Sequence, residues 1–221
     1  ALETPVPGKT NVIAWDDDWT TVFPDNWKPL VAEVGFGDGK QLLEKAKNDN
    51  TRNYLGLERN GGFIDMLDRR SRKNNVTNLK IVPASDLIIY DEKRDGTVSD
   101  FYYIAAQPPM LVFEETGVRL LMKMLKPGGR VFVTADGRLT PEFFINAGFI
   151  DVSETTPFPY MSRYFKELEI QRFVFQKPGI SDTALKALDA GTHAEAAKAP
   201  PAALLRQETE VTGKTPVSEA P

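Results

Sequence analysis

The sequence predicts an α/β fold with a mostly parallel central sheet, helices on both faces and an antiparallel closing strand. Between residues 31 and 177, short apolar runs alternate with segments whose apolar residues recur at helical spacing. Such alternation is typical of a parallel sheet that is covered on both faces. The last segments, FIDVSE and EIQRFVFQK, look like two closing strands rather than another strand–helix unit. A chain of 221 residues, 41% of them hydrophobic, is long enough to bury this core.

The individual elements follow in chain order. The strand-like runs are LVAEV, NYLGLE, LKIV, DFYYIA and RVFVTAD. The first helix-like segment is KQLLEKAKN, and the second is FIDMLDRRSRK, in which Phe63, Met66 and Leu67 share one face. The third is VRLLMKMLKPGG, where the Pro-Gly-Gly sequence predicts a sharp helix stop and turn.

Two segments of different character flank this domain of residues 31–177. Residues 1–30 form an arm that contains all three tryptophans, Trp15, Trp19 and Trp27. These indoles either pack the arm onto the domain or bind a partner. Residues 178–221 form a tail rich in alanine and proline, a composition that predicts solvated disorder or a segment ordered against another molecule. We therefore expect protein partners to bind through the arm and the tail.

Composition argues against several kinds of site. The chain has no cysteine and one histidine, His193 in the tail. Thiolate nucleophiles, a Ser–His–Asp triad and a metal site are therefore not expected. The net charge of −4 does not favour a nucleic-acid backbone as the main partner, although a local basic patch can bind one. No apolar run reaches the ~18 residues of a membrane span.

The compartment stays open at this level. Because the sequence starts at Ala1 and not at Met, removal of a leader or an expression segment is one expectation. Together with the tail, it is compatible with a mitochondrial or chloroplast location as well as with the cytoplasm.

The most informative stretch is VAEVGFGDGK. Gly35, Gly37 and Gly39 lie between the first strand and the first helix, where glycine permits positive φ and close approach of the backbone to a ligand. The spacing E-x-G-x-G-x-G differs from the dinucleotide fingerprint G-x-G-x-x-G. Glu58 ends the second strand, twenty-one residues after Gly37, where an acid can accept both hydroxyls of a ribose. These features predict an adenosine-type pocket at the carboxyl ends of the first two strands.

The runs DDWTTVFPDNWKPLVAEVGFGDGKQLLEKAK, NYLGLER, NNVTNLKIV and MLKPGGRVFVTAD are similar to the bacterial-type tRNA (guanine-N7)-methyltransferases. These are class I S-adenosylmethionine (SAM) enzymes. The resemblance covers about residues 15–175, and its most specific part is W-x-x-x-F ahead of P-L-x-x-E-x-G-F-G-x-G. It implies a Rossmann-like class I methyltransferase fold with SAM as cofactor. By the same resemblance, the cofactor-binding residues would be Glu33, Gly35, Gly37 and Gly39 on the methionine and ribose side, Glu58 on the ribose, and Ser85 or Asp86 near the adenine.

The sequence departs from this family on the substrate side. The family's F-P-D-P-W-P-K motif, whose aspartate is assigned to the chemistry, corresponds to Ala105–Pro109, and Gln107 replaces the aspartate. A glutamine amide cannot act as a base. No lysine or arginine occurs from residue 95 to 118, where the family has a basic segment that meets the tRNA. The family's Thr-x-x-Glu motif corresponds to Ser162 with Glu167 or Glu169, and its Thr-Asp to Thr134-Ala135-Asp136.

Other residues leave alternatives open. The basic cluster Arg69, Arg70, Arg72 and Lys73 is either a solvated helix face or an RNA contact. Asp100 and Tyr103 are either pocket residues or part of the core.

Two functions compete. One is a methyltransferase-like protein that keeps a SAM-type pocket but serves as a non-catalytic structural or accessory subunit of a larger complex, organellar or not. The other is an active SAM-dependent methyltransferase, on tRNA guanine N7 or on a changed substrate. The losses on the substrate side favour the first, and tRNA is not expected as a partner.

Overall fold

The computed structural model describes residues 10–85, 92–106, 110–135, 138–158 and 170–179. Seven strands within these ranges form one sheet: Leu30–Val34 (β1), Asn53–Glu58 (β2), Leu79–Pro83 (β3), Val98–Ala106 (β4), Leu125–Ala135 (β5), Ile150–Asp151 (β6) and Gln171–Gln176 (β7). Their order is β3-β2-β1-β4-β5-β7-β6. Strands β1 to β5 are parallel, and β7 runs antiparallel to both of its neighbours. The predicted α/β fold with an antiparallel closing strand is confirmed.

Helices cover both faces of this sheet. They are Lys40–Asn48 (α1), Gly61–Lys73 (α2), Glu115–Met124 (α3) and Pro141–Asn146 (α4), with short 3-10 turns at Glu92–Arg94 and Leu111–Phe113. Side chains of α1 and α2 pack with Tyr102 of β4, whereas those of α3 and α4 pack with Phe101 and Tyr103 on the other face. This split follows from the alternation of side chains along a strand. None of the helices in the described ranges is long and apolar enough to cross a bilayer.

The buried face of α2 differs from the one predicted. Leu67 is buried as expected, but Phe63 and Met66 are only half-buried, and Ile64 lies in the core. The inward stripe continues with two polar residues, Asp68 and Ser71. These are buried because Asn11 of the arm donates its backbone N–H to Asp68 (2.8 Å) and its side-chain amide to Ser71 (2.8 Å). Periodicity read from apolar residues alone cannot find such a polar contact.

The predicted turn at Pro-Gly-Gly is a bend inside a strand. Helix α3 ends at Met124, and β5 already begins at Leu125. Gly128 has φ +76°, and its N–H donates to the carbonyl of Lys177 (3.1 Å), while the N–H of Lys177 donates to Gly129 (2.8 Å). The glycine therefore bends β5 without ending its pairing with the final segment.

The arm is partly integrated into the domain. Residues 11–13 extend the outer edge of the sheet: Ile13 donates to the carbonyl of Ile81 (2.9 Å), and Ile81 donates to that of Asn11 (2.9 Å). Trp19 is buried in the core, as expected for an arm-packing indole, whereas Trp15 and Trp27 are 60% and 76% exposed. The predicted boundaries of arm, domain and tail stay a prediction, since all but the first two tail residues lie outside the described ranges.

Arg94 ties the arm to the domain. This side chain is 3% exposed, and its guanidinium donates to the carbonyls of Asp17 (2.6 Å) and Trp15 (2.7 Å). It also lies over the Trp19 ring, 4.2 Å from the centroid. One cation thus satisfies two arm carbonyls and packs on the indole that fills the core.

Replacing Arg94 by alanine removes all three contacts. We expect the free energy of unfolding to fall by about 3 kcal/mol, because a hydrogen bond from a charged group typically contributes about 1.5–3 kcal/mol. The matched control is Arg119→Ala, which breaks only an exposed pair with Glu115 and is expected to lose less than about 1 kcal/mol. Urea unfolding followed by circular dichroism measures both, and equal losses would contradict the role given to Arg94.

Candidate functional site

The three loop glycines adopt the backbone that their spacing predicts. Gly35, Gly37 and Gly39 have φ values of +68°, +56° and +67° and connect the end of β1 to the start of α1. Residues with a Cβ rarely adopt such values. The N–H of Gly35 donates to the carbonyl of Leu57 in β2 (2.8 Å). The loop therefore starts at the shared carboxyl edge of β1 and β2.

Glu58 lies beside this loop, at the end of β2. One carboxylate oxygen, Oε1, accepts hydrogen bonds from the N–H groups of Arg59 (2.8 Å) and Asn60 (2.9 Å). The other, Oε2, accepts a longer one from the N–H of Gly37 (3.3 Å). The carboxylate is half-buried and its orientation is fixed by its own turn. The structure thus brings together Glu58 and the glycines, as the sequence predicts.

Helix α2 supports the loop from the other side. Nη1 of Arg70 donates to the carbonyl oxygen of Asp38, between the second and third glycines (2.6 Å). Leu67 packs so tightly that a Cβ on Gly39 would lie 2.8 Å from its Cδ1. This internal contact of Arg70 is not one that the sequence predicts, since the basic cluster is expected there to be either a solvated face or an RNA contact. No local pattern signals this contact, because it joins residues thirty-two positions apart.

Two other basic side chains of α2 bind groups of the same helix. Arg72 pairs with Asp68 (3.0 Å), and Nε of Arg69 donates to the carbonyl of Asp65 (3.3 Å).

Glu33 occupies a different environment from the loop. It is 4% exposed in the middle of β1, flanked in register by Gly56 and Tyr102. Burial lowers the pKa of Lys45 to about 8, and the negative charge of Glu33 opposes this by raising it. The Lys45 ammonium lies 4.5 Å from the centroid of the Tyr102 ring. A cofactor-binding role for Glu33 stays a prediction.

The other predicted site residues are only partly described. Ser85 follows β3, at the same edge of the sheet as Glu58, and is half-buried. Six further residues lie outside the described ranges: Asp86, Gln107, Asp136, Ser162, Glu167 and Glu169. Met110, which follows Gln107 by three residues, places its Cε 3.4 Å from where a Cβ of Gly35 would lie. Met110 therefore lies beside the first glycine of the loop.

Asp100 and Tyr103 are not pocket residues. The Asp100 carboxylate accepts from Arg52 (2.6 Å) and Arg130 (2.9 Å) near the amino end of β4, away from the loop. Tyr103 is fully buried and stacks on Phe101. Both have structural roles. Within the described ranges, no group of three or more acidic or histidine side chains is placed to hold a metal ion.

Alanine at two of the glycines separates backbone strain from packing. A Cβ at Gly37 meets nothing within 4 Å, so Gly37→Ala carries only the strain of positive φ, about 1–2 kcal/mol. Gly39→Ala adds the clash with Leu67, and overpacking of this kind costs a further ~1–3 kcal/mol. Urea unfolding of the two variants should rank Gly39→Ala as the less stable, and the reverse order would contradict the packing of α2 against the loop.

The pKa of Lys45 should lie well below the ordinary value for a lysine. We expect its ε-methylene NMR signal to move with a pKa of about 8 instead of 10.5. Between these values the unfolded chain binds more protons at this group than the folded chain, so its contribution to stability rises with pH in this window. Glu33→Gln removes a charge that raises the Lys45 pKa and should lower it further. An unchanged or higher pKa in that variant would contradict the coupling.

Comparison with known proteins places these features in a family context. A family model described as "Putative methyltransferase" matches residues 27–92, the range that contains the glycine loop, Glu58 and α2. The tRNA (guanine-N(7)-)-methyltransferase of Buchnera aphidicola subsp. Schizaphis graminum is 33% identical over 137 residues, which cover 58% of this chain and 57% of that enzyme. The enzyme of Vibrio cholerae is 40% identical over 65 residues, 29% of this chain and 27% of that one.

Solved structures with the same fold are more distant in sequence. A 16S rRNA (adenine(1408)-N(1))-methyltransferase of Catenulisporales acidiphilia, determined with cosubstrate SAM, superimposes with a TM-score of 0.55 at 13% identity and covers 74% of this chain and 90% of that one. The antibiotic-resistance methyltransferase Kmr gives a TM-score of 0.53 at 16% identity, covering 72% of this chain and 89% of Kmr. At this identity the likeness concerns the fold alone.

The sequence matches cover only part of the length of each of these relatives. Several of the curated relatives align over about a quarter of their own length, and the Buchnera enzyme over about half. The chain therefore has a Rossmann-like methyltransferase fold and resembles the tRNA (guanine-N7)-methyltransferases, most strongly in the half that contains the glycine loop.

Proposed function

We propose that this protein binds SAM in the crevice at the carboxyl ends of β1 and β2. The observation that carries the proposal is the fixed carboxylate of Glu58 beside three glycines with positive φ. It is supported by the relatives that match this region, which are named methyltransferases, and by one solved structure of the same fold that was determined with cosubstrate SAM.

The geometry of Glu58 suits a ribose. Oε1 is already engaged by two backbone N–H groups, whereas Oε2 accepts one long hydrogen bond from Gly37. A carboxylate oxygen has lone pairs for further donors, so Oε2 can accept from the hydroxyls of a ribose. Because nothing lies within 4 Å of the position of a Cβ at Gly37, a ligand can approach the backbone there. Bound SAM would supply a methyl group on a sulfonium, and the chain's own part is to hold and orient it.

The acceptor side leads us to propose that tRNA guanine N7 is not the substrate. Gln107 replaces the aspartate that the family's motif assigns to the chemistry. The chain also has no cation from residue 95 to 118 to meet phosphates. The basic side chains of α2 offer little compensation, since Arg70 and Arg72 bind groups of the protein itself.

An accessory role in a larger assembly is the function we favour. Its support is the altered acceptor side together with two indoles, Trp15 and Trp27, that are largely exposed on the arm. Exposed aromatic side chains are enriched where proteins bind one another. The second candidate is a methyltransferase with a changed acceptor, and the geometry of the glycine loop beside Glu58 favours it. The two differ in whether bound SAM is ever consumed.

SAM binding is tested by calorimetric titration of the full chain. We expect saturable binding of SAM and S-adenosylhomocysteine, and Glu58→Ala should weaken it about 10- to 100-fold, the equivalent of a charged hydrogen bond. Glu44→Ala is the matched control, because Glu44 is an exposed residue of α1 whose carboxylate pairs with Lys47 of the same helix. Absence of heat at millimolar ligand, with a folded wild-type chain, would contradict the proposal.

Transfer of radiolabelled methyl groups from SAM tests the acceptor. With unmodified tRNA at low salt, we expect no incorporation at guanine N7, because an acceptor edge that is not held in line with the methyl group loses several powers of ten in rate. Incorporation at N7 that disappears in Glu58→Ala would show that the chain is an active enzyme of the family after all.

A further inference from the structure

A second cavity lies at the opposite edge of the sheet from the glycine loop. Its volume is about 150 Å³, enough for several water molecules or a small anion. It is lined at the amino ends of parallel strands by Asn53 of β2, Thr97 before β4 and Lys126 of β5, and by Trp19 and Lys28 of the arm. Since β1 spans five residues at ~3.3 Å each, a ligand here lies roughly 16 Å from the glycine loop. This cavity therefore does not belong to the proposed SAM site.

The lining is cationic, while the side-chain donors of Thr97 and Asn53 are engaged by the carbonyls of Arg94 (2.6 Å) and Asp25 (2.8 Å). Two lysines line the cavity and, among its described residues, no carboxylate does. The Lys28 side chain is only 14% exposed and shares its ammonium with Asp25 at the surface (2.7 Å). Lys126 is exposed, and within the described ranges its ammonium pairs with no acid. A cavity of this kind favours a negatively charged ligand with several acceptor oxygens.

Trp19 supplies an independent observation. The side chain is 1% exposed, and its indole Nε1–H has no hydrogen-bond partner within the described part of the chain. Buried indole N–H groups usually find an acceptor, because an unsatisfied buried donor is costly. Trp19 also begins the W-x-x-x-F stretch, and Phe23, which ends it, lines the same cavity. Packing of the arm explains the ring of Trp19 but not its orphaned donor.

We propose that this cavity binds a small oxyanion, either inorganic phosphate or the phosphate group of a small sugar phosphate. Lys126 supplies positive charge for it beside the Lys28–Asp25 pair, and the indole N–H of Trp19 is a neutral donor of the lining that has no partner within the described part of the chain. The site is independent of SAM binding, since it lies at the other edge of the sheet and shares no residue with the glycine loop.

The fluorescence emission of Trp19 provides a readout of binding in this cavity. In the full chain carrying Trp15→Phe and Trp27→Phe, Trp19 is the sole tryptophan. Sodium phosphate and ribose 5-phosphate are titrated separately at constant ionic strength, with calorimetry on the same samples as a measure that does not depend on emission. We expect saturable binding of at least one of the two, and tighter binding of ribose 5-phosphate would identify a sugar phosphate as the preferred ligand.

Two charge-matched variants decide whether binding occurs in this cavity. Lys126→Gln should weaken phosphate binding about fivefold, the upper range for one exposed ionic contact. Lys123→Gln removes the same charge from an exposed position of α3 that does not line the cavity, and it should leave the affinity unchanged. No saturation by either method, or equal weakening in both variants, would overturn the proposal. The SAM titration is unaffected by either result, so the two proposals fail separately.

Discussion

The candidate site depends on one constraint: a loop with three residues at positive φ must be held from both sides. Glycine permits this backbone but also gives the unfolded loop more freedom to lose. Glu58 accepts from the N–H of Gly37 on one side, and Arg70 donates to the carbonyl of Asp38 on the other. The loop conformation therefore rests on β2 and α2 together, and its geometry is fixed before any ligand binds.

Four arginine side chains of this protein hold other parts of the chain in place. Arg94 holds the arm, Arg70 holds the glycine loop, and Arg52 and Arg130 share the carboxylate of Asp100. The planar guanidinium suits such hydrogen bonds because it presents several donors in fixed directions. Three of the four basic side chains in the last turns of α2 likewise make contacts within the protein.

The fold could be read from the sequence because it depends on local patterns. The bounds of β1, α1 and β2 agree with their apolar runs, and the positive φ of the glycines follows from their place between strand and helix. Helix α4 was missed even though Pro141 lies in its first turn, a common start signal. The contact of Arg70 with the loop, the burial of Asp68 and the bend at Gly128 could not be read, since each depends on a partner distant in the chain. Local sequence patterns predict the helices and strands, whereas the contacts of their polar residues depend on tertiary packing.

We propose that the cofactor side of a methyltransferase fold, the glycine loop with Glu58, is intact in this chain. The most direct measurement is a crystal structure of the full chain grown with S-adenosylhomocysteine. We expect the ribose hydroxyls to lie against Oε2 of Glu58 and the amino-acid end of the ligand to lie along residues 35–39. Ligand bound elsewhere with Glu58 still closed onto the N–H of Gly37, or a crevice filled by side chains of the protein itself, would contradict it.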